Sequence, residues 1–148
     1  MFTDILRKMV KFLVEHMEAE LADWALTEYR HIVQWVLLAF NFIDIIVQVG
    51  PKNLILSHLD AQALESMPKD LLENTECLKE SVEFMDIDKS KIILLDPSAT
   101  EELKPSDADC CEYMLFGGIL GDIPSKDRYI YHSSCIQFIS IEPKSSEN

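Results

Sequence analysis

Glycine is scarce in this sequence, with four residues among 148. Three of the four lie within five positions, in the stretch EYMLFGGILGD, directly behind an apolar run. Glycine is used where the backbone needs a positive φ angle or where another group must approach the main chain closely. The stretch therefore predicts a loop whose backbone is in close contact with another group, which is either a ligand or another loop.

Basic residues are also scarce: 13 Lys and Arg stand against 26 Asp and Glu, a formal net charge of −13. A nucleic-acid backbone is disfavoured as the main partner, because phosphate binding needs a basic face. The charge favours a small molecule or a basic protein, although an acidic surface also serves solubility alone. The length and the hydrophobic share of 48% are those of one globular domain with a core.

Cysteine and glycine spacings exclude several site classes. The four cysteines show no C-x-x-C pair and no zinc spacing with the histidines, so no metal is expected. The adjacent pair Cys110-Cys111 is expected to be two small buried residues at the start of a strand rather than a redox pair. The segment GGILG lacks the pattern of a P-loop and of a Rossmann turn. Charged residues interrupt the apolar segment at the N-terminus, which does not suit a secretory signal, so a cytoplasmic location is the default expectation.

Four short apolar runs predict strands near residues 11–16, 53–58, 91–95 and 112–117. Apolar residues at helical spacing separate the first two runs, and helix-start signals follow the second and third. Strands that alternate with helices are typical of βαβ units. The predicted fold class is therefore α/β, with a mainly parallel sheet and flanking helices.

Three helices are predicted between these strands. The first covers residues 18 to about 47, because the apolar phase continues without a slip, although residues 34–48 would also suit a strand. The second opens at Ser66, with Pro68 and Asp70 in its first turn, and runs to about Glu80. The third is one or two turns long and begins at the capping box SATE, residues 98–101.

The carboxyl ends of the four strands bring polar residues and glycines together. These ends are Glu15-His16, Ser57-His58, Asp96-Pro97 and Gly117-Gly118. In open α/β sheets, ligands bind outside the carboxyl ends of the strands. We therefore expect Glu15, Asp96 and the loop from Gly117 to Asp122 to line a common cleft at one edge of the sheet.

Four segments resemble the SPOUT-class protein arginine methyltransferases, which use S-adenosylmethionine to modify a ribosomal protein. In chain order they are EHMEAELADWALTEY, VGPKNLILSHL, LLDPSATEELKPSDA and FGGILGDIPSKDR. The resemblance covers residues 11–128 with one interruption. It implies a SPOUT-like α/β fold, S-adenosylmethionine as cofactor and a basic protein substrate.

The resemblance also implies the site residues. Since an arginine substrate is a cation, its site needs carboxylates, and Glu15 and Asp122 are the candidates. The cofactor would be bound by the end of the third strand and by the glycine loop: Leu95, Asp96, Pro97, Phe116, Gly117, Gly118, Ile119, Leu120, Gly121 and Asp122.

Two segments depart from the family pattern. An apolar insert occupies residues 34–48, and the tail from residue 129 to 148 resembles nothing in the family. The insert suits a core helix or an aggregation-prone segment better than a membrane anchor, because Asn41 and Asp44 interrupt it. The tail replaces the expected C-terminal knot, and part of it, Tyr129 to Ile141, suits a strand that caps the sheet edge.

These departures define the expected organisation. Residues 1–10 are an N-terminal extension, 11–128 a methyltransferase-like domain containing the insert, and 129–148 an atypical tail. The expected function is methylation of an arginine in a ribosomal protein, with little activity in this interrupted and shortened chain. The alternative is a non-catalytic fragment that acts only through protein contacts.

Overall fold

A parallel β-sheet forms the centre of the molecule. The computed structural model describes residues 10–18, 20–42, 53–96, 99–117 and 137–139. Within these ranges six strands pair in the order β3-β2-β1-β5-β4-β6, and every pair is parallel. The strands are β1 Lys11–Glu15, β2 Leu54–Ser57, β3 Glu76–Cys77, β4 Ile92–Leu95, β5 Tyr113–Gly117 and β6 Gln137–Ile139. The predicted α/β class and its four main strands are confirmed.

Helices connect and cover the strands. In the described ranges they are α1 Asp23–Phe42, α2 Ala61–Ser66, α3 Lys69–Asn74 and α4 Asp107–Cys110, with a 3₁₀ turn at Lys89–Lys91. None of these helices is long and apolar enough to span a bilayer. Helix α1 lies beside α3, and the side chains of Arg30 and Asp70 join the two helices through a bidentate ion pair with N–O distances of 2.7 and 3.1 Å.

Alternation along the strands builds a core on each face of the sheet. On one face Val14 of β1 and Leu56 of β2 pack against Tyr29 of α1. On the other face Leu13 of β1 packs with Val82 in the segment that follows β3. Strands buried on both faces have nearly continuous apolar sequences, which explains why these strands were recognisable in the sequence.

Helix α1 differs from the predicted helix at its N-terminal end. It begins at Asp23 and not at residue 18, so the predicted start is wrong. It then passes through residue 34 without a break and reaches Phe42, so the insert is helical where it is described and the alternative strand is wrong for residues 34–42. Residues 43–48, which include the predicted end of the helix, lie outside the described residues. At about 1.5 Å per residue, the 20 described residues extend for about 30 Å.

The helix predicted from Ser66 to Glu80 is wrong at both ends, because Ser66 is the last residue of α2 and α3 begins only at Lys69, after Pro68. Helix α3 ends at Asn74, where Thr75 turns to an extended backbone and donates its hydroxyl hydrogen to the carbonyl oxygen of Leu71 at 2.6 Å. The next two residues form β3 at the sheet edge, where Cys77 pairs with Leu56. Helix α2 was not predicted. It begins after Asp60, whose carboxylate accepts the Ala63 backbone N–H at 2.7 Å.

The predicted helix at SATE is also wrong. The described residues 99–106 are not helical, and α4 begins at Asp107, whose carboxylate accepts the Lys104 backbone N–H at 2.7 Å. Leu103 is exposed, so a helix there would bury no apolar face, and short helices without such burial are marginal. The cysteine expectation is correct for Cys111, which is buried, and wrong for Cys110, which is exposed at the end of α4.

Strand β6 comes from the atypical tail. Its three residues pair in parallel with β4, where Leu94 is the register partner of Phe138. It lies outside β4, at the end of the sheet opposite β3. The tail therefore supplies the edge-capping strand that its sequence suits, inside the range Tyr129 to Ile141.

Candidate functional site

The carboxyl ends of β1 and β5 lie side by side, with Glu15 and Gly117 as register partners. Strand β4 pairs with the other side of β5, and Asp96 directly follows its last residue, Leu95. Glu15, Gly117 and Asp96 therefore lie along one edge on three adjacent strands, which are about 5 Å apart. The remaining predicted residues, Pro97 and Gly118 to Asp122, lie outside the described residues.

The boundary between β1 and β5 is where the chain connections diverge. The chain leaves β1 for β2 on one side, whereas β5 is followed by β6 on the far side of β4. In open α/β sheets, ligands bind at such a switch point, outside the carboxyl ends of the strands. Glu15 and Gly117 are the two residues that the register places at this point.

Glu15 is a buried carboxylate, 2% exposed. Its Oε1 accepts hydrogen bonds from the Ser81 hydroxyl and, at 3.0 Å, from the backbone N–H of Val82. Its register partner on β2 is Ser57, which is also buried, and the Ser57 Oγ has no hydrogen-bond partner in the described part of the chain. The carboxylate is thus fixed by a turn 66 residues further along the chain, a contact that no local sequence pattern signals.

The other predicted cofactor residues have structural contacts of their own. The Phe116 ring packs against Phe12, with ring centroids 6.2 Å apart, in the core on the α1 side. Leu95 is half-buried beside Ile93 in a small cluster. The Asp96 carbonyl oxygen accepts the Ala99 backbone N–H at 3.0 Å.

His16 follows Glu15 and lies on the opposite face of the sheet. The ring is 3% exposed, and its Nδ1 lies 2.6 Å from the Tyr29 hydroxyl oxygen. Burial lowers the pKa of His16, although the nearby Glu20 backbone and the Glu18 carboxylate act in the opposite direction. Burial raises the pKa of Tyr29. A neutral imidazole and a protonated phenol result.

His58 follows β2 and borders a cleft beside His16. Its backbone has a φ of 59°, in the left-handed region that is uncommon for residues other than glycine. Two hydrogen bonds stabilise this conformation: the backbone N–H donates to the Glu80 carbonyl oxygen at 3.0 Å, and Nδ1 lies 3.0 Å from the His16 carbonyl oxygen. The cleft has a volume of about 380 Å³, and its lining residues are His16, Glu18, Leu21, His58, Asp60, Ala63 and Lys79.

Comparison with known proteins identifies the family. The family model described as Protein arginine N-methyltransferase SFM1-like matches residues 11–133. The chain belongs to this family. The resemblance inferred from the four sequence segments is confirmed.

One curated relative of this SFM1-like chain is Protein arginine N-methyltransferase SFM1 of Saccharomyces cerevisiae. The two are 37% identical over 129 residues, which are 80% of this chain and 54% of the yeast protein. The chain thus spans about half the length of this relative. The crystal structure of the yeast arginine methyltransferase SFM1 complexed with SAM has a TM-score of 0.67 at 30% identity, and the match covers 88% of this chain and 59% of that one.

A more distant structure shares the fold. Trm10 from Thermococcus kodakaraensis, described as dual specific, has a TM-score of 0.58 at 15% identity, and the match covers 90% of this chain and 78% of that one. The SFM1-like chain and Trm10 therefore share the parallel α/β architecture, in keeping with the SPOUT-like fold expected from the resemblance.

Proposed function

We propose that this chain binds S-adenosylmethionine and contributes to methylation of an arginine side chain in a protein. The observation that carries the proposal is the register of Glu15 with Gly117 at the switch point of the sheet. A carboxylate and a glycine backbone adjoin there, which suits a cation beside a closely approaching ligand. The family membership and the yeast SFM1 structure with SAM support the choice of ligand.

The cofactor would be held by the ends of β4 and β5. The proposed residues are Leu95, Asp96, Pro97, Phe116, Gly117, Gly118, Ile119, Leu120, Gly121 and Asp122. The residues present fit this role, because Gly117 ends β5 without a Cβ at the position where a ligand would meet the backbone. When bound, S-adenosylmethionine supplies an activated methyl group for in-line displacement by a guanidinium nitrogen.

Glu15 and Asp122 would bind the substrate guanidinium. A fixed carboxylate orients the planar group through charge-assisted hydrogen bonds and accepts the proton that the attacking nitrogen loses. Ser81 and Val82 hold one oxygen of Glu15 in place, so this carboxylate does not need to reorganise when substrate binds. The protein contribution is thus positioning and electrostatics.

A basic protein is the proposed substrate, in the cytoplasm, and a ribosomal protein is the specific candidate. The net charge of −13 attracts a basic polypeptide and repels the phosphates of a nucleic acid. We further propose that residues 1–148 alone transfer methyl groups slowly. The chain matches only 54% of the yeast protein, and small misplacements of the reacting groups can cost about 100-fold in rate.

Titration calorimetry with S-adenosylmethionine tests cofactor binding by the chain. We expect binding by the wild type and by Glu15→Gln, because Glu15 is assigned to the substrate. Gly117→Val should lose affinity for S-adenosylmethionine, because valine suits a strand but adds a branched side chain at the proposed contact. Absence of binding by the folded wild-type chain would favour the alternative, a non-catalytic fragment that acts through protein contacts.

Transfer of a labelled methyl group to a basic ribosomal-protein peptide tests the reaction. Glu15→Gln should abolish transfer while cofactor binding persists, and Glu65→Gln on the exposed side of α2 is the matched control that should leave transfer unchanged. A chain extended to the full length of the relatives should be faster than residues 1–148. Equal rates would contradict the proposed low activity, and full activity of Glu15→Gln would contradict its assigned role.

A further inference from the structure

The cleft between the ends of β1 and β2 has no part in the proposed chemistry. It lies on the same carboxyl edge as Glu15, but β1 separates it from β5 and the proposed cofactor residues. Its lining includes His16, Leu21, Ala63 and two carboxylates, those of Glu18 and Asp60.

His16 places a buried ring nitrogen, Nε2, in this cleft. Its Nδ1 lies 2.6 Å from the Tyr29 hydroxyl oxygen; when the phenol is the donor of this hydrogen bond, the neutral ring carries its own hydrogen on Nε2. Within the described residues, Nε2 has no hydrogen-bond partner of good distance and angle, although the Glu20 backbone interacts with the ring and acts to raise its pKa. A buried donor of this kind is costly to leave unpaired, and a carbonyl oxygen of a ligand would satisfy it.

The walls of the cleft favour a basic side chain. Glu18 and Asp60 place two negative charges around the opening, against the single exposed ammonium group of Lys79 among the lining residues. Asp60 already accepts the Ala63 backbone N–H, which fixes the direction of its carboxylate. Leu21 and Ala63 supply apolar surface for the methylene groups of an arginine or lysine. In the described residues, no group of three or more His, Cys, Asp and Glu residues is arranged to hold a metal ion.

We propose that this cleft is a second recognition site for the protein substrate, occupied by a basic residue close in sequence to the target arginine. The backbone carbonyl of the bound segment would accept the hydrogen of His16 Nε2, and its basic head group would lie between Glu18 and Asp60. This inference rests on the proposed function, since it assumes that an arginine of the same segment reaches the switch point.

Sheet geometry sets the spacing between the two recognised residues. The cleft lies at the β1–β2 boundary, and the proposed guanidinium site at Glu15 lies at the β1–β5 boundary, one strand further along the edge. One strand spacing is about 5 Å, and an extended peptide advances about 3.3 Å per residue. The second basic residue should therefore lie about two positions from the target arginine.

Fluorescence anisotropy with two labelled peptides tests this site. One peptide carries an arginine and a second arginine two positions away, and the other has glutamine in place of the second arginine. The test protein is the double variant Glu18→Gln, Asp60→Asn, because asparagine caps a helix as well as aspartate does. The matched control is Glu65→Gln, Asp86→Asn, which removes two exposed carboxylates that do not line the cleft.

The wild type should bind the peptide with two arginines about tenfold more tightly, the effect of one good additional contact. The control should keep this preference and the cleft variant should lose it. A preference that survives in the cleft variant would overturn the inference, as would a single-stranded RNA that binds the wild type and loses affinity in the cleft variant.

A second measurement follows the ring nitrogens of His16 by NMR. Adding the peptide with two arginines should shift Nε2 of His16 in the wild type, and the absence of a shift would overturn the carbonyl contact. Cofactor titration of the same samples separates the two hypotheses. If the chain prefers the peptide with two arginines but does not bind S-adenosylmethionine, the proposed function fails and the recognition site remains.

Discussion

The hydroxyl group of Ser81 donates a hydrogen bond to Oε1 of Glu15, a residue 66 positions earlier in the chain. The acceptor is a buried carboxylate at the end of β1, and the adjacent Val82 N–H binds the same oxygen at 3.0 Å. The turn that contains Ser81 therefore determines where the negative charge lies at the switch point of the sheet.

Replacing Ser81 with alanine should destabilise the protein. The substitution leaves Glu15 with one fewer donor in a buried environment, and a hydrogen bond to a charged group contributes about 1.5–3 kcal/mol. Urea denaturation measures the free energy of unfolding. Ser90→Ala is the matched control, because its hydroxyl donates to Asp88 at an exposed site, and it should change the stability much less. Equal effects of the two substitutions would contradict the importance of the buried contact.

The buried histidine should make stability depend on pH. Burial lowers the pKa of His16 below its ordinary 6.5, so the unfolded chain takes up a proton before the folded chain does. The contribution of neutral His16 to the free energy of unfolding is therefore complete above the pKa of the unfolded chain. It is lost as the pH falls through the window between the unfolded and the folded pKa values. Unfolding by urea at several pH values measures it, and His16→Gln should lose less stability than the wild type on acidification.

The exposed His31 supplies the control for this experiment. His31→Gln should retain the wild-type dependence of unfolding free energy on pH. If His16→Gln and the wild type lose the same stability on acidification, the buried neutral state of His16 is wrong.

Glycine should be the best replacement for His58. At a φ of 59° a residue with a Cβ is disfavoured by about 1 kcal/mol or more, whereas glycine adopts this region freely. We expect His58→Gly to be more stable than His58→Ala by about 1 kcal/mol, as measured by urea denaturation. Glu65 in α2 is the control: Glu65→Gly should be less stable than Glu65→Ala, because glycine is less favourable than alanine inside a helix. A lower stability of His58→Gly than of His58→Ala would contradict the left-handed conformation.

Removing the atypical tail should expose the edge of the sheet. Strand β6 covers β4 through three register pairs, and a chain that ends at residue 128 would leave the backbone groups of β4 without that partner. We expect a lower urea midpoint and more light scattering on concentration. The matched control ends at residue 141, which retains β6 and should behave as the wild type does. Equal behaviour of the two shortened chains would mean that β6 contributes little.

The sequence alone determined the α/β class, the four main strands and the family. Those strands are recognisable because each is a short apolar run between turn residues, a property of the local chain that parallel packing on both faces requires. The helical spacing of apolar residues across residue 34 is also a property of the local chain, and α1 follows this spacing to Phe42. The sequence also places the candidate residues Glu15 and Gly117 at strand ends, and the structure ends β1 and β5 at these two residues.

Tertiary structure alone decided the strand order, the edge strands and the contacts that hold the site. Thr75 ends α3, and β3 follows, because Cys77 pairs with Leu56, a partner that helical signals near Ser66 cannot reveal. Likewise, Ser81 reaches Glu15 and Tyr29 reaches His16 only after the sheet and α1 have formed. Hydrogen bonds between distant segments depend on which strands become neighbours, and local periodicity carries no information about that choice.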